Sequence, residues 1–123
     1  MKNLIVLLTL LVGLPAVSHA ALKYSPEAPA ESYVKGIKTR LEPSLFKIKG
    51  VNGVGITACE TKTGTPFVSI ARERLARLLF EPCVSIHTET TAALVEVRSH
   101  LPQAKRYRGV YVVSDKIGKI EAQ

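Results

Sequence analysis

Residues 49–59, KGVNGVGITAC, decide the fold of this chain, because they predict a strand with one face that is almost free of side chains. Glycine clusters can cradle phosphates, but this one has the order GxxGxG, and a strand and a turn are predicted after it rather than a helix N-terminus. Nucleotide binding is therefore not expected. Side chains alternate between the two faces of a strand, so one face is apolar, with Val54, Ile56 and Ala58. The opposite face holds small residues, namely Gly53, Gly55, Thr57 and Cys59.

The first twenty residues, MKNLIVLLTLLVGLPAVSHA, predict a secretory signal peptide. Lys2 precedes a short apolar run, and the small residues Ser18 and Ala20 stand where a signal peptidase requires them. An uncleaved anchor helix is the alternative, but the run is short for a membrane span. We therefore expect a protein exported to the periplasm or the medium, and not an integral membrane protein. Residues 1–20 would be the signal peptide, residues 21–29 a flexible leader, and residues 30–123 a single α+β domain.

The two cysteines of the chain, Cys59 and Cys83, are predicted to form a disulfide. An even number of cysteines in an exported protein favours this pairing. Closing the loop between them would stabilise the fold by about 3–4 kcal/mol. Alternation in CVSIH, residues 83–87, places Cys83 on the less apolar face of a second strand, which permits the bond if the two strands are antiparallel neighbours. Two alternatives remain open: a zinc site with His87 and His100, and a catalytic cysteine beside His87.

The rest of the chain predicts helices interspersed with short strands. A helix starts near Ala30, with apolar residues at helical spacing until Pro43 interrupts it or begins a second short helix. Residues 66–81 fit a strand, a helix or both, and the run IARERLARLLF favours a helix. A further helix ends at Pro102, residues 103–108 form a basic loop, and GVYVV, residues 109–113, forms a strand. The expected fold class is α+β: a mainly antiparallel sheet of three to five strands with two or three helices on one face.

The run FKIKGVNGVGITAC, followed by PCVSIHTET, RGVYVV and IGKIEAQ, resembles small exported bacterial domains of unknown function with a GVxGVG strand signature. The resemblance covers about residues 31–123, and the segment near residues 70–80 departs from it like an insertion. It implies a ferredoxin-like α+β sandwich without an established active site. Propeptide-type inhibitors of subtilisin-like proteases use the same general architecture, which is an analogy of fold alone.

The charge of the chain favours acidic partners. It carries 17 Lys and Arg against 10 Asp and Glu, a formal net charge of +7, so anionic envelope surfaces are possible partners. Arg72, Arg74 and Arg77 form a candidate basic patch, although a solvated helix face is the simpler explanation. Nucleic acid is not expected, because no aromatic residues are interleaved with the basic ones for stacking on bases.

No catalytic motif stands out in the sequence, so we expect a non-catalytic protein with no cofactor and no metal. The leading hypothesis is a binding protein that presents an uncovered sheet face to an unknown protein or peptide. The candidate binding face consists of Thr57, Ser85, His87 and Tyr111. A solvated face without a partner is the alternative. A protease inhibitor that uses the C-terminal KIEAQ as its tail is the second hypothesis for function.

Overall fold

A computed structural model describes residues 22–117 of the chain. Within these residues, the elements follow the order α-β-α-β-α-β-β, with a 3₁₀ turn at Phe67–Ser69. The helices and strands are α1 (Glu31–Leu45), β1 (Val51–Glu60), α2 (Arg72–Leu75), β2 (Phe80–Thr88), α3 (Thr91–His100), β3 (Lys105–Tyr107) and β4 (Val110–Lys116).

The four strands form one sheet in the order β1-β2-β4-β3. The outer pairs β1–β2 and β3–β4 are antiparallel, whereas the central pair β2–β4 is parallel. The predicted α+β class with a mainly antiparallel sheet is therefore confirmed. The ferredoxin-like topology is not confirmed, because the element order of the described residues differs from the β-α-β-β-α-β order of a ferredoxin-like chain.

The two longer helices, α1 and α3, pack on the same face of the sheet. This arrangement forms the main core, because apolar residues at helical spacing meet the apolar side of the alternating strands. The buried residues of this core are Val34, Ile37, Leu41, Leu45, Val84, Ile86, Val97, Val110 and Val112. Helix α1 runs through Pro43 to Leu45, so the proline lies inside its last turn and does not interrupt it. Thr90 caps α3, since its side chain accepts a hydrogen bond from the main-chain N–H of Ala93.

Residues 66–81 contain only one turn of α-helix, so the predicted helix over IARERLARLLF is wrong. Leu75 is buried, but Ala71 and Leu79 are exposed, and the chain already enters β2 at Phe80. The apolar pattern reflects separate contacts with the sheet instead of one helical face. Pro82 lies inside β2, where its missing N–H costs nothing because pairing with β4 begins only at Val84.

Two further expectations differ from the structure. The predicted basic loop 103–108 contains strand β3, which pairs with β4 between left-handed turns at Ala104 and Arg108. The expected flexible leader is held to the sheet over residues 22–25, because Leu22 is buried and Tyr24 forms a parallel bridge with Phe80. Within residues 22–117, no helix combines the length and the apolar character that crossing a membrane requires.

Candidate functional site

The predicted disulfide between Cys59 and Cys83 is present. Antiparallel pairing sets Thr57 opposite Cys83 and Cys59 opposite Glu81, so the two cysteines are diagonal neighbours on one face of the sheet. Their Cα atoms lie 5.9 Å apart, and both side chains are fully buried. A zinc site and a catalytic thiol are both wrong for these cysteines, because the two sulfur atoms are bonded to each other.

Next to the disulfide, packed side chains and the loop around Gly64 cover the face of the sheet opposite α1 and α3. We call this covered part of the face the closed half. Tyr111 is buried there and packs with Val113 and the disulfide. Its hydroxyl donates a hydrogen bond of 2.9 Å to the carbonyl of Thr61. Gly64 lies against the same ring, so closely that a Cβ atom at this position would meet ring carbons at 2.8 Å. The structure therefore places Tyr111 in the closed half of this face, apart from the other three residues of the candidate binding face.

An ion pair between Arg106 and Glu81 lies at the edge of the closed half, beside the Tyr111 ring. Both guanidinium NH groups donate to the Glu81 carboxylate, at 2.7 and 3.1 Å, and the Glu81 side chain is only 3 % exposed. The guanidinium also lies 4.0 Å from the centre of the Tyr111 ring. Its hydrogen bond to Glu81 is the main reason that the pKa of Arg106 is raised above its ordinary value. A buried carboxylate is tolerated here because it has a bidentate partner.

The other half of the same face is an open pocket of about 580 Å³, which we call the open-face pocket. Its floor holds three of the four predicted binding residues, Thr57, Ser85 and His87. The chain between β1 and α2 forms one wall, and residues around β4 form the other. These walls include Thr65, Pro66, Val68, Ser69, Arg98, Gln103, Ala104, Val113, Ser114 and Asp115.

Two glycines of β1 leave room above this floor. Gly55 is opposite Ser85 and Gly53 is opposite His87. A Cβ atom at Gly55 would lie 3.6 Å from the Ser85 hydroxyl, and one at Gly53 would lie 3.6 Å from a ring carbon of His87. Both contacts are of ordinary van der Waals length, so larger side chains would fill the pocket without straining the sheet. The glycines of the opening stretch therefore shape an open surface.

The polar side chains of the floor have no hydrogen-bond partners among residues 22–117. The Ser85 side chain is about nine-tenths buried and its hydroxyl makes no protein hydrogen bond, and the same holds for the less buried Thr57 hydroxyl. The Nδ1 atom of His87 is buried without a partner. Buried polar groups in folded proteins are nearly always hydrogen-bonded. Among residues 22–117, His87 Nδ1 is the one atom of the floor that is buried without a partner, whereas the Thr57 and Ser85 hydroxyls keep solvent contact and can bond to water or to a ligand in the open-face pocket.

A buried carboxylate at the end of β1 fixes the turn that leads to the pocket wall. Glu60 accepts hydrogen bonds from the main-chain N–H groups of Lys62 and Thr63 and from the Thr63 hydroxyl. Burial alone would raise the pKa of Glu60, but these hydrogen bonds outweigh it and lower the pKa below its ordinary value. The turn is thereby held in place, and with it Thr65 and Pro66 of the wall.

The rim of the pocket includes residues that sequence reasoning missed. Parallel pairing of β2 with β4 places Asp115 next to His87. Arg98 donates to the hydroxyl and the carbonyl of Ser114, and Gln103 accepts from the N–H of the same residue. Only the register of the parallel pair brings these residues to the pocket, and nothing in the local sequence indicates that register.

The candidate basic patch is exposed but does not form one helical face. Arg72 and Arg74 belong to the single turn of α2, and Arg77 follows it. All three side chains are exposed to solvent.

Comparisons of the chain with protein-family models, with curated proteins and with solved structures each found no match. The function must therefore be argued from the site itself.

Proposed function

We propose that this chain is a small exported, non-catalytic binding protein that holds part of a ligand in the open-face pocket. The observation that carries the proposal is the set of three polar side chains without protein partners, Thr57, Ser85 and His87, on a floor cleared by glycines. Pro66, Val68 and Val113 add apolar surface to the walls. A pocket with a few convergent polar groups among apolar walls is suited to one neutral, hydrogen-bonding group at a time.

The arrangement supports binding more than catalysis. Ser85, His87 and Asp115 are neighbours on the open face, but no hydrogen bond joins any two of them in the described chain. A nucleophile, its base and the residue that orients the base would need such bonds. Within residues 22–117, the Asp115 carboxylate accepts a hydrogen bond only from the N–H of Lys116, so none of the described contacts lets it orient the imidazole.

Export is part of the proposal. The predicted signal peptide lies in residues 1–20, outside the described chain, and the disulfide between Cys59 and Cys83 supports an oxidising destination.

A fragment-binding experiment tests the proposal. Small neutral amides and alcohols are titrated into the ¹⁵N-labelled protein, and we expect saturable shifts of the Thr57, Ser85 and His87 amides. Thr57→Val and Ser85→Ala remove the hydroxyls with little change in volume and should weaken these shifts several-fold. Thr39→Val, on the exposed side of α1, is the matched control and should change nothing. Fragments that shift none of the three amides, or shift them equally in all variants, would contradict the proposal.

A second candidate function is binding to anionic envelope surfaces through Arg72, Arg74 and Arg77, and their full exposure favours it. Cosedimentation with vesicles that contain an anionic lipid should fall steeply between 50 mM and 500 mM salt if these charges act together. Replacing all three by serine should abolish the binding. The inhibitor hypothesis depends on the C-terminal KIEAQ, which lies outside the described residues.

A further inference from the structure

The outer edge of β1 carries main-chain groups whose direction can be derived from its neighbours. Glu60 donates its N–H to the carbonyl of Thr65 and accepts from the N–H of Gly64, both at 2.8 Å, so its main-chain groups point away from β2. Phe80, opposite Glu60, likewise bonds to residues 23–25 and not to β1. Main-chain groups alternate in direction along an antiparallel strand. The N–H and C=O groups of Val54 and Ile56 therefore also point outward.

No described residue bonds to the outward groups of Val54 and Ile56. A row of unpaired N–H and C=O groups at a sheet edge is a template for another strand. Most exposed edges are protected by charge, by bulges or by a covering segment. The edge of β1 between Val51 and Cys59 carries no charged side chain, and its bulge lies at Asn52, beyond the free groups.

The other edges in residues 22–117 are protected. Strand β3 has three residues, two of them the charged Lys105 and Arg106. On β4, the N–H and C=O of Ser114 are bonded to the side chains of Gln103 and Arg98. The contrast singles out the middle of β1 as the edge that is left free for pairing.

The free edge lies directly beside the open-face pocket. Ile56 and Thr57 line the pocket, and Pro66 closes the edge at its far end through its bridge with Cys59. A strand added to β1 would direct every second side chain toward the open face. The nearest positions on that face are Gly53 and Gly55, which have no side chains to block the way to Ser85 and His87.

We propose that β1 accepts an extended peptide segment of a partner protein as an additional strand, and that one neutral, hydrogen-bonding side chain of this peptide lies in the open-face pocket. This inference rests on the proposed function and names its ligand class. Main-chain pairing supplies affinity, and the pocket selects the side chain. Asparagine or glutamine, whose amide group both donates and accepts hydrogen bonds, fits a floor that offers two hydroxyls and an imidazole.

A second copy of the chain fits this edge less well. Symmetric pairing of two β1 strands about Gly55 would present only glycines and Thr57 to each pocket, which leaves its polar groups without partners. It would also bring residues 50–52 of one copy into the place that residues 65–66 of the other copy already occupy along the strand. A partner with a free extended segment avoids both problems.

The test uses a panel of capped heptapeptides, Thr-Val-Thr-Xaa-Thr-Val-Thr, in which Xaa is Gln, Asn, Leu, Lys or Glu. Binding is followed by amide chemical shifts and by hydrogen exchange of the assigned protein. We expect the Gln and Asn peptides to bind most tightly. Exchange at Val54 and Ile56 should slow on the order of tenfold on binding, while Gly55 and Thr57, already bonded to β2, should not change. Methylating the peptide nitrogens that face β1 should abolish binding, and methylating the alternate nitrogens should leave it intact.

The outcomes separate this inference from the proposed function. If a peptide changes the amide chemical shifts of Ser85 and His87 but does not slow hydrogen exchange at Val54 and Ile56, strand addition is overturned and the pocket remains a ligand site. If Val54 and Ile56 are protected to the same degree whatever Xaa is, and equally in Ser85→Ala, strand addition is supported and the role of the pocket is overturned. No saturable binding by any peptide at millimolar concentration overturns the inference. A further outcome is that the protein dimerises in sedimentation as its concentration rises, with slowed exchange at Val54 and Ile56 in the absence of any peptide. This result would make a second copy of the chain the occupant of the edge and would also overturn the inference.

Discussion

Replacing Arg106 by methionine should strongly destabilise the fold, because it leaves the carboxylate of Glu81 without its partner. Removing one member of a buried ion pair costs about 3–5 kcal/mol. The Arg106 side chain is 40 % exposed, so solvent screening reduces this cost to about 2–3 kcal/mol. Loss of the stacking on Tyr111 adds about 0.5–1 kcal/mol. For a domain of this size, the sum corresponds to a fall in Tm of about 10–25 °C.

Urea denaturation with the disulfide intact measures this effect as a change in the free energy of unfolding. The double variant Arg106→Met/Glu81→Met should recover most of the loss, because two apolar side chains of similar volume replace the pair without a buried charge. Arg108→Met, a nearby exposed arginine, is the matched control and should stay within about 0.5 kcal/mol of the unmodified protein. If the double variant is as unstable as Arg106→Met, the cost comes from lost packing on Tyr111, and the argument from the unpaired carboxylate is refuted.

Three further predictions concern the fold around the pocket. Replacing Cys59 and Cys83 by alanine should lower the free energy of unfolding by about 3–4 kcal/mol; an unchanged urea midpoint would exclude a stabilising disulfide. Gly64→Ala combines a φ of +78° with a contact of 2.8 Å to the Tyr111 ring, so it should cost about 1–3 kcal/mol in the same assay. The pKa of Glu60 is lower in the folded state, so its contribution to stability is present above the ordinary value of 4.5 and is lost as the pH falls through the folded pKa. The stability difference between the protein and Glu60→Gln should therefore shrink on acidification below about pH 4.5, and a difference that stays constant from pH 7 to pH 2 would contradict this.

Local periodicity was sufficient to predict α1, the faces of β1 and the disulfide. Each of these depends on residues close in sequence or on the two-residue alternation of paired strands. Val34 and Ile37 are buried on one side of α1 as their spacing predicts. The same alternation placed Cys59 and Cys83 on one face before their pairing was known.

Strand β3 and the pocket rim could not be predicted, because they depend on contacts between distant residues. Strand β3 forms between two non-glycine residues with positive φ, Ala104 and Arg108, a conformation that no local signal marks. The sequence predicts Arg106 as part of a basic loop, because its partner Glu81 lies twenty-five residues earlier in the chain. Tyr111 is part of the predicted binding face and does lie on that side of the sheet, but Gly64 covers its ring.

The face opposite α1 and α3 thus divides into two halves with different roles. In the closed half, the Tyr111 ring packs against both the disulfide and the Arg106 side chain that binds Glu81. Substitutions there should therefore change the stability of the fold. In the open half, Gly53 and Gly55 leave polar groups without protein partners, an arrangement that contributes little to folding. A sequence under selection for stability alone gains by filling such a floor, because added side chains would meet only ordinary van der Waals contacts there. The fold itself does not require glycine at these two positions, and under the proposed function they keep the sheet open for a ligand.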